Sequence, residues 1–159
     1  WKKVGGTAYN YKVSPGSEQH RRGIYVVLKR GGPYPSFNNF DATARLACTV
    51  KRSRTNTPLQ ALTLLNDPVY VEATRALARR IVTETANEPL DAQLDYAFQL
   101  CTGRRPTDSQ RDVLRNLFQQ QVEVTVKRTS ASTKTAAETE AWFSVATVLL
   151  NMHETITKD

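Results

Sequence analysis

The residues best suited to chemistry in this chain are arginines. Arg21 and Arg22 open one basic cluster, which continues to Lys29 and Arg30, and Lys51, Arg52 and Arg54 form a second. A guanidinium recognises sulfate, phosphate or carboxylate through two parallel N–H bonds. If the clusters converge, they make an anion site. The positive end of a helix starting at Pro58, close to Arg54 in sequence, would strengthen it. The plainer role for the same arginines is to hold a long loop by bonding backbone carbonyls, since most side-chain hydrogen bonds go to backbone or water. The anion-binding candidates are thus Arg21, Arg22, Lys51, Arg52 and Arg54, with a sulfated or acidic glycan as the ligand class. Asp41, between the clusters, is the acid available to a cleft shared with other domains.

Other chemistry is sparse. His20 sits beside two arginines, and His153 with Glu154 does not supply the several close ligands of a metal site. Cys48 and Cys101 form neither CxxC nor CxxCH, so neither a zinc knuckle nor covalent c-type haem is encoded. A Cys48–Cys101 disulfide and two buried thiols are both open, the latter because Cys101 falls on an apolar helix face. No GxSxG, P-loop or GxGxxG motif occurs. Asp91 and Asp95 read as a solvated helix face. Arg75, Arg79 and Arg80 lack accompanying base-reading side chains, and the joint near residue 67 is too tight for a helix-turn-helix. DNA binding is therefore disfavoured.

These residues must be positioned by helices. Thr57, Pro58 and Gln60 form a capping box with proline in the first turn, and Asp67-Pro68 repeats the cap-then-proline signal. The first of these helices carries Leu59, Leu62, Leu64 and Leu65. The next places Val69, Ala73, Ala76, Leu77 and Ile81 on one face, and Arg75 and Arg79 on the other. A third follows Pro89, with Leu94, Ala97, Phe98 and Cys101 in register and Gly103 as its cap. Thr107 to Gln110 is a second capping box, opening a helix with Leu114, Leu117, Phe118 and Val122 that frays near Lys127 and Arg128. A polar stretch follows from Thr129 to Thr135. Thr135 to Glu138 is a third box, opening a helix with Trp142, Val145, Ala146 and Leu149 that should be central.

Upstream the pattern is weaker. Residues 1–19 read as an irregular lead-in with an extended piece at Thr7 to Val13. Residues 20–30 read as a helix, although Ile24 to Leu28 would also suit a strand, and Gly31-Gly32-Pro33 end it. Residues 31–56 form a long connection, the kind of segment that often carries function. The expectation is a single all-α domain over residues 1–159, an irregular bundle of five to six helices with a long N-terminal loop region, the bundle proper spanning 57–159.

The 159 residues suffice for a core without metal or disulfide. No stretch approaches the length of a membrane span. The net charge of +7 permits an acidic partner, an anionic polysaccharide or nucleic acid, and equally suits simple solubility. The first residue is Trp1 rather than Met, so a piece of a longer parent protein is expected.

The run from Arg52 through Arg54, Thr55, Asn56, Thr57, Pro58, Leu59, Gln60, Ala61 and Leu62 to Asp67-Pro68 resembles the signature of a planctomycete C-terminal domain of unknown function, the PSD type. Arg21-Arg22 with Tyr25, Lys29-Arg30, Phe40-Asp41-Ala42, Cys48, Gly103-Arg104 with Pro106-Thr107, Trp142, and Leu149 to Asn151 with Glu154 resemble its other blocks. The likeness runs over roughly residues 11–159. Thr43-Ala44 stand where that family usually has Pro-Asp, and Thr155 where an aromatic is usual. The resemblance implies an extracytoplasmic setting, in the periplasm or cell envelope, and association with cytochrome c-like domains. Any haem would then lie in companion domains or subunits, with no cofactor in this chain. It brings no catalytic residues. The expected role is a non-catalytic structural or interaction module that packs against the rest of its parent or another subunit. The alternatives are an anion-binding module and part of an enzyme site completed by other domains.

Overall fold

A computed structural model of the chain describes residues 14–26, 34–43, 47–128 and 134–157, the side chains of 134–136 excepted. The expected extended piece at Thr7 to Val13, the Gly31 to Pro33 stop and most of the Thr129 to Thr135 connection lie outside the described residues. Seven α-helices and no strand occur among the described residues. They are α1 (Pro35–Asn39), α2 (Pro58–Asn66), α3 (Pro68–Glu84), α4 (Leu90–Thr102), α5 (Asp108–Arg128), α6 (Lys134–Asn151) and α7 (His153–Ile156). The protein is all-α. It divides into two compact units, Trp1–Thr63 and Leu64–Asp159, with the boundary inside α2.

The helix starts follow the local chemistry. The Thr57 hydroxyl accepts from the Gln60 amide at 3.3 Å, while Gln60 Oε1 accepts from the Thr57 amide at 3.0 Å. Thr107 and Gln110 make the same reciprocal pair at 3.3 and 3.0 Å. Asp67 Oδ1 accepts from the Val69 amide at 2.9 Å, with Pro68 in the first turn of α3. Each such cap contributes about 1 kcal/mol. Gly103 ends α4 in the left-handed region at φ 81°, and its amide donates to the Gln99 carbonyl. α6 begins at Lys134, one residue before the expected cap, and the Thr135 side chain is outside the described residues.

The core belongs to the second unit. Ile81 of α3, Leu94 and Phe98 of α4, and Val145 and Leu149 of α6 are fully buried. Burying each large side chain stabilises by roughly 1.5–3 kcal/mol. Trp142 tilts against Phe118 of α5 with ring centroids 5.1 Å apart. α6 packs against α3, α4 and α5, as its two-sided apolar pattern requires. On α3 the buried stripe is Thr74, Ala78 and Ile81, continuing to Thr85, whereas Ala73 and Ala76 are exposed. The expected apolar face of α3 was therefore rotated from the true one. Thr74 and Thr85 can be buried because each hydroxyl donates to the carbonyl four residues earlier, at 2.8 and 2.7 Å.

Asp91 and Asp95 are not merely a solvated face. Arg111 Nε and Nη2 fork onto Asp95 at 2.6 and 3.1 Å, and Arg115 Nε reaches Asp91 at 2.8 Å, tying α5 to α4. Arg104 does the same at the far end. Its guanidinium reaches both oxygens of Glu154 at 2.6–3.0 Å and lies 5.0 Å from the Phe98 ring centroid. Through Glu154 it holds α7.

The first unit is built differently. Residues 20–26 are not a helix. Gly16–His20 and Gly23–Tyr25 are short 3-10 turns, and Arg21 and Arg22 between them are extended, with ψ near 145°. The glycine at 23 and the β-branched residues after it favour this over a helix. Residues 27–30, the rest of that expected helix, lie outside the described residues. Within the expected long connection, α1 forms behind Pro35. Among the described residues of this unit, the only fully buried side chain is that of Gln60. Three of the four leucines of α2 are exposed, Leu59, Leu62 and Leu65 at 56, 55 and 47%, while Leu64 is half-buried.

Candidate functional site

The long connection folds back on itself at Asp41. Its backbone is left-handed, φ 57°, the one non-glycine residue with positive φ among those described. Aspartate tolerates this conformation better than most residues, but it is held there by its surroundings. The Arg52 guanidinium reaches across eleven residues, Nε donating to the Asp41 carbonyl at 2.6 Å and Nη2 donating to the Phe40 carbonyl. The Asp41 carboxylate faces the other way. It accepts from the Thr55 amide at 2.8 Å and from the Thr55 hydroxyl, which lies 2.9 and 2.8 Å from its two oxygens.

Gln60 completes the arrangement. Its oxygen caps α2, which leaves its amide protons unused; these donate to Thr55 Oγ1 at 3.2 Å and to Asp41 Oδ2 at 3.5 Å. The four residues form a closed hydrogen-bonded knot that fastens the end of α1 to the start of α2. A second tie, Asn39 Nδ2 to Thr63 Oγ1 at 3.1 Å, runs parallel to it. The Thr55 hydroxyl and then the Thr55 amide hold the Asp41 carboxyl below its ordinary range, with lesser help from Arg52 and Gln60. It is a carboxylate at neutral pH.

This distribution sorts the basic residues. Arg52 and Asp41 meet, but through the Asp41 carbonyl and not through an open cleft. Arg21 lies 3.4 Å from Glu18, and Arg22 stands over the Tyr25 ring, 5.8 Å from its centroid. Lys51 and Arg54 are exposed. The arrangement can hold the loop rigidly. The Asp41 oxygens face the donors of Thr55 and Gln60. Among the described residues no group of three or more His, Cys, Asp or Glu could hold a metal ion. Both cysteines are free: Cys48 is exposed, and burial pushes the half-buried Cys101 thiol up. His153 is exposed at the start of α7, with the Thr157 hydroxyl 3.1 Å from Nε2.

Two partners of the knot escaped the sequence reading. Thr55 carries no local signal, because its partner is fourteen residues away. Gln60 did carry one. A capping glutamine uses its oxygen alone, so an unassigned amide NH2 in a polar loop is a donor seeking an acceptor.

No helix among the described residues is long and apolar enough to cross a membrane. No curated protein matches the chain, and no solved structure matches it. A family model does match, over residues 3–118, which takes in the knot, the α2 start and the helices through the first half of α5. The chain belongs to the family described as PSD1, protein of unknown function (DUF1553).

Proposed function

We propose that the chain is a non-catalytic interaction module of a larger extracytoplasmic assembly. The observation that carries this reading is the exposure of Leu59 and Leu62, at 56 and 55%, on a helix whose start is fixed by the knot. Leucines held rigidly in water on a short helix are suited to cover by another protein surface. The knot supports the same reading, because it stiffens the segment that presents them and so lowers the entropy lost on docking. The partner is the remainder of a parent protein or another subunit. The planctomycete origin, the periplasmic or envelope setting and the haem-bearing companions follow from the resemblance of the signature run, and stand as part of the proposal.

The alternatives have less support. A sulfated or acidic glycan would have to bind without the Arg52 fork, which is occupied by two carbonyls. A shared enzyme cleft would need the Asp41 carboxylate, which is bonded to Thr55 and Gln60. The test is photocross-linking in the source cells, with a benzophenone amino acid at position 62 and, as control, at the exposed Gln99 of α4. A discrete protein adduct from position 62 alone, in the envelope fraction, is expected. Equal labelling from both positions, or none from 62, overturns the reading.

A further inference from the structure

The charge of the chain is divided unevenly between its units. Up to Thr63 there are eleven Lys and Arg against two acids, Glu18 and Asp41; from Leu64 onward there are eleven against thirteen. The net +7 is therefore +9 in the first unit and −2 in the second. Both acids of the first unit already face internal donors, Glu18 the Arg21 guanidinium and Asp41 the knot. A field of this size, over so short a length, attracts negatively charged partners and orients their approach.

The same unit is also apolar on its outside. Ile24 and Tyr25 are 81 and 64% exposed, alongside Leu59 and Leu62. These segments are connected parts of one unit. A Cβ on Gly23 would stand 2.7 Å from Phe37 Cε1, so the turn bearing Ile24 and Tyr25 rests on α1. Asn39 and the Asp41 knot in turn fasten α1 to α2. Arg22 stands over the Tyr25 ring, and arginine and tyrosine are both residue types enriched at the centres of protein interfaces.

We infer that the first unit docks onto an acidic protein surface that carries apolar side chains of its own, with Arg22, Lys51, Ile24, Tyr25, Leu59 and Leu62 as contacts. A polysaccharide or a nucleic-acid duplex would answer the charge and leave the leucines in water. An acidic protein answers both. The inference rests on the interaction-module reading and specifies the chemistry of its partner.

The test uses the intact chain and four probes at physiological ionic strength: poly-glutamate, a random glutamate–tyrosine copolymer, heparin and duplex DNA. The copolymer is expected to bind more tightly than the other three. Leu59→Ser with Leu62→Ser should weaken copolymer binding about fivefold or more, the weight of one well-placed anchor, and leave poly-glutamate binding unchanged. Arg22→Glu with Lys51→Glu should weaken both. Heparin or DNA binding as tightly as the copolymer overturns the inference, as does a serine variant that keeps the full copolymer preference. Sedimentation showing a dimer that is lost with the serine variant overturns it too, in favour of a second copy. Circular dichroism checks that the helices persist. If the serine variant unfolds, Ile24→Ser, outside every α-helix, must show the same loss of copolymer preference. A protein adduct from position 62 without any copolymer preference removes the acidic partner and leaves the module reading standing.

Discussion

Replacing Arg52 by alanine removes both bonds from the guanidinium to the carbonyls of Phe40 and Asp41. Hydrogen bonds to a charged donor contribute about 1.5–3 kcal/mol each when shielded, but this site is exposed and water can replace the arginine on both carbonyls. A net loss of about 1–2 kcal/mol remains, and it is local, because the knot fastens α1 to α2 within the first unit and none of its residues belongs to the buried cluster of α3 to α6. The left-handed backbone at Asp41 favours opening once the fork is gone. The Thr55 amide, which donates to the Asp41 carboxylate, reports that opening directly. Hydrogen exchange by NMR should show it exchanging roughly 5- to 30-fold faster, with the core amides of Val145 and Leu149 unchanged. Arg52→Lys should recover less than half of the protection, because an ammonium cannot fork onto two carbonyls. Unchanged Thr55 exchange in the alanine variant would refute the knot. So would equal acceleration at Val145, since the arginine would then serve the whole fold.

Four further outcomes are expected. The native pKa of Asp41 is depressed, so its contribution to the knot is complete above the ordinary aspartate value of 3.8 and is lost as pH falls through the lower native value; acid titration of the Thr55 amide shift should show this, and a shift complete by pH 5 would contradict it. Phe98→Ala opens a cavity in the centre of the second unit and should cost about 3–5 kcal/mol in urea unfolding, a loss below 1 kcal/mol being inconsistent with its burial. Arg104→Ala and Glu154→Ala should couple by about 0.5–1 kcal/mol in a double-mutant cycle, reflecting a bidentate but half-exposed pair, and simple additivity would count against the clamp on α7. Iodoacetamide on the native chain should alkylate the exposed Cys48 well before Cys101, whose burial disfavours the thiolate, and equal rates would contradict that environment.

Local chemistry was legible wherever both partners lie within one helical turn. Thr57 with Gln60, Asp67 with Val69, Thr107 with Gln110 and the left-handed Gly103 all behave as their spacing indicates. The faces of α4, α5 and α6 were legible as well, because each carries enough large apolar residues at helical period to outweigh the alternatives. The face of α3 was not. Its stripe is formed by threonine and alanine at Thr74, Ala78 and Thr85, which a hydrophobic pattern does not distinguish from Ala73 and Ala76. The segment from His20 misled for a different reason: its helical reading came from the helical character of the rest of the chain, while Gly23 and the β-branched residues after it set the backbone otherwise.

The candidate site divides along the same line. By itself the sequence determined that the chain is helical, where α2 to α5 begin, that no familiar catalytic motif is present, and that the basic residues cluster ahead of the α2 start. Only the tertiary structure decided what one of them, Arg52, and the nearby Thr55 do. Arg52 meets the carbonyls of Phe40 and Asp41 across twelve and eleven positions, and Thr55 meets the Asp41 carboxylate across fourteen. No periodicity spans such gaps; the contacts exist because one left-handed residue turns the loop back on itself. The leucines of α2 make the converse case. Their spacing reads as a core stripe, yet an apolar stripe is buried only if something packs against it, and in this chain Leu59 and Leu62 remain in water. Sequence specifies which faces are apolar, and packing alone decides which of them are covered.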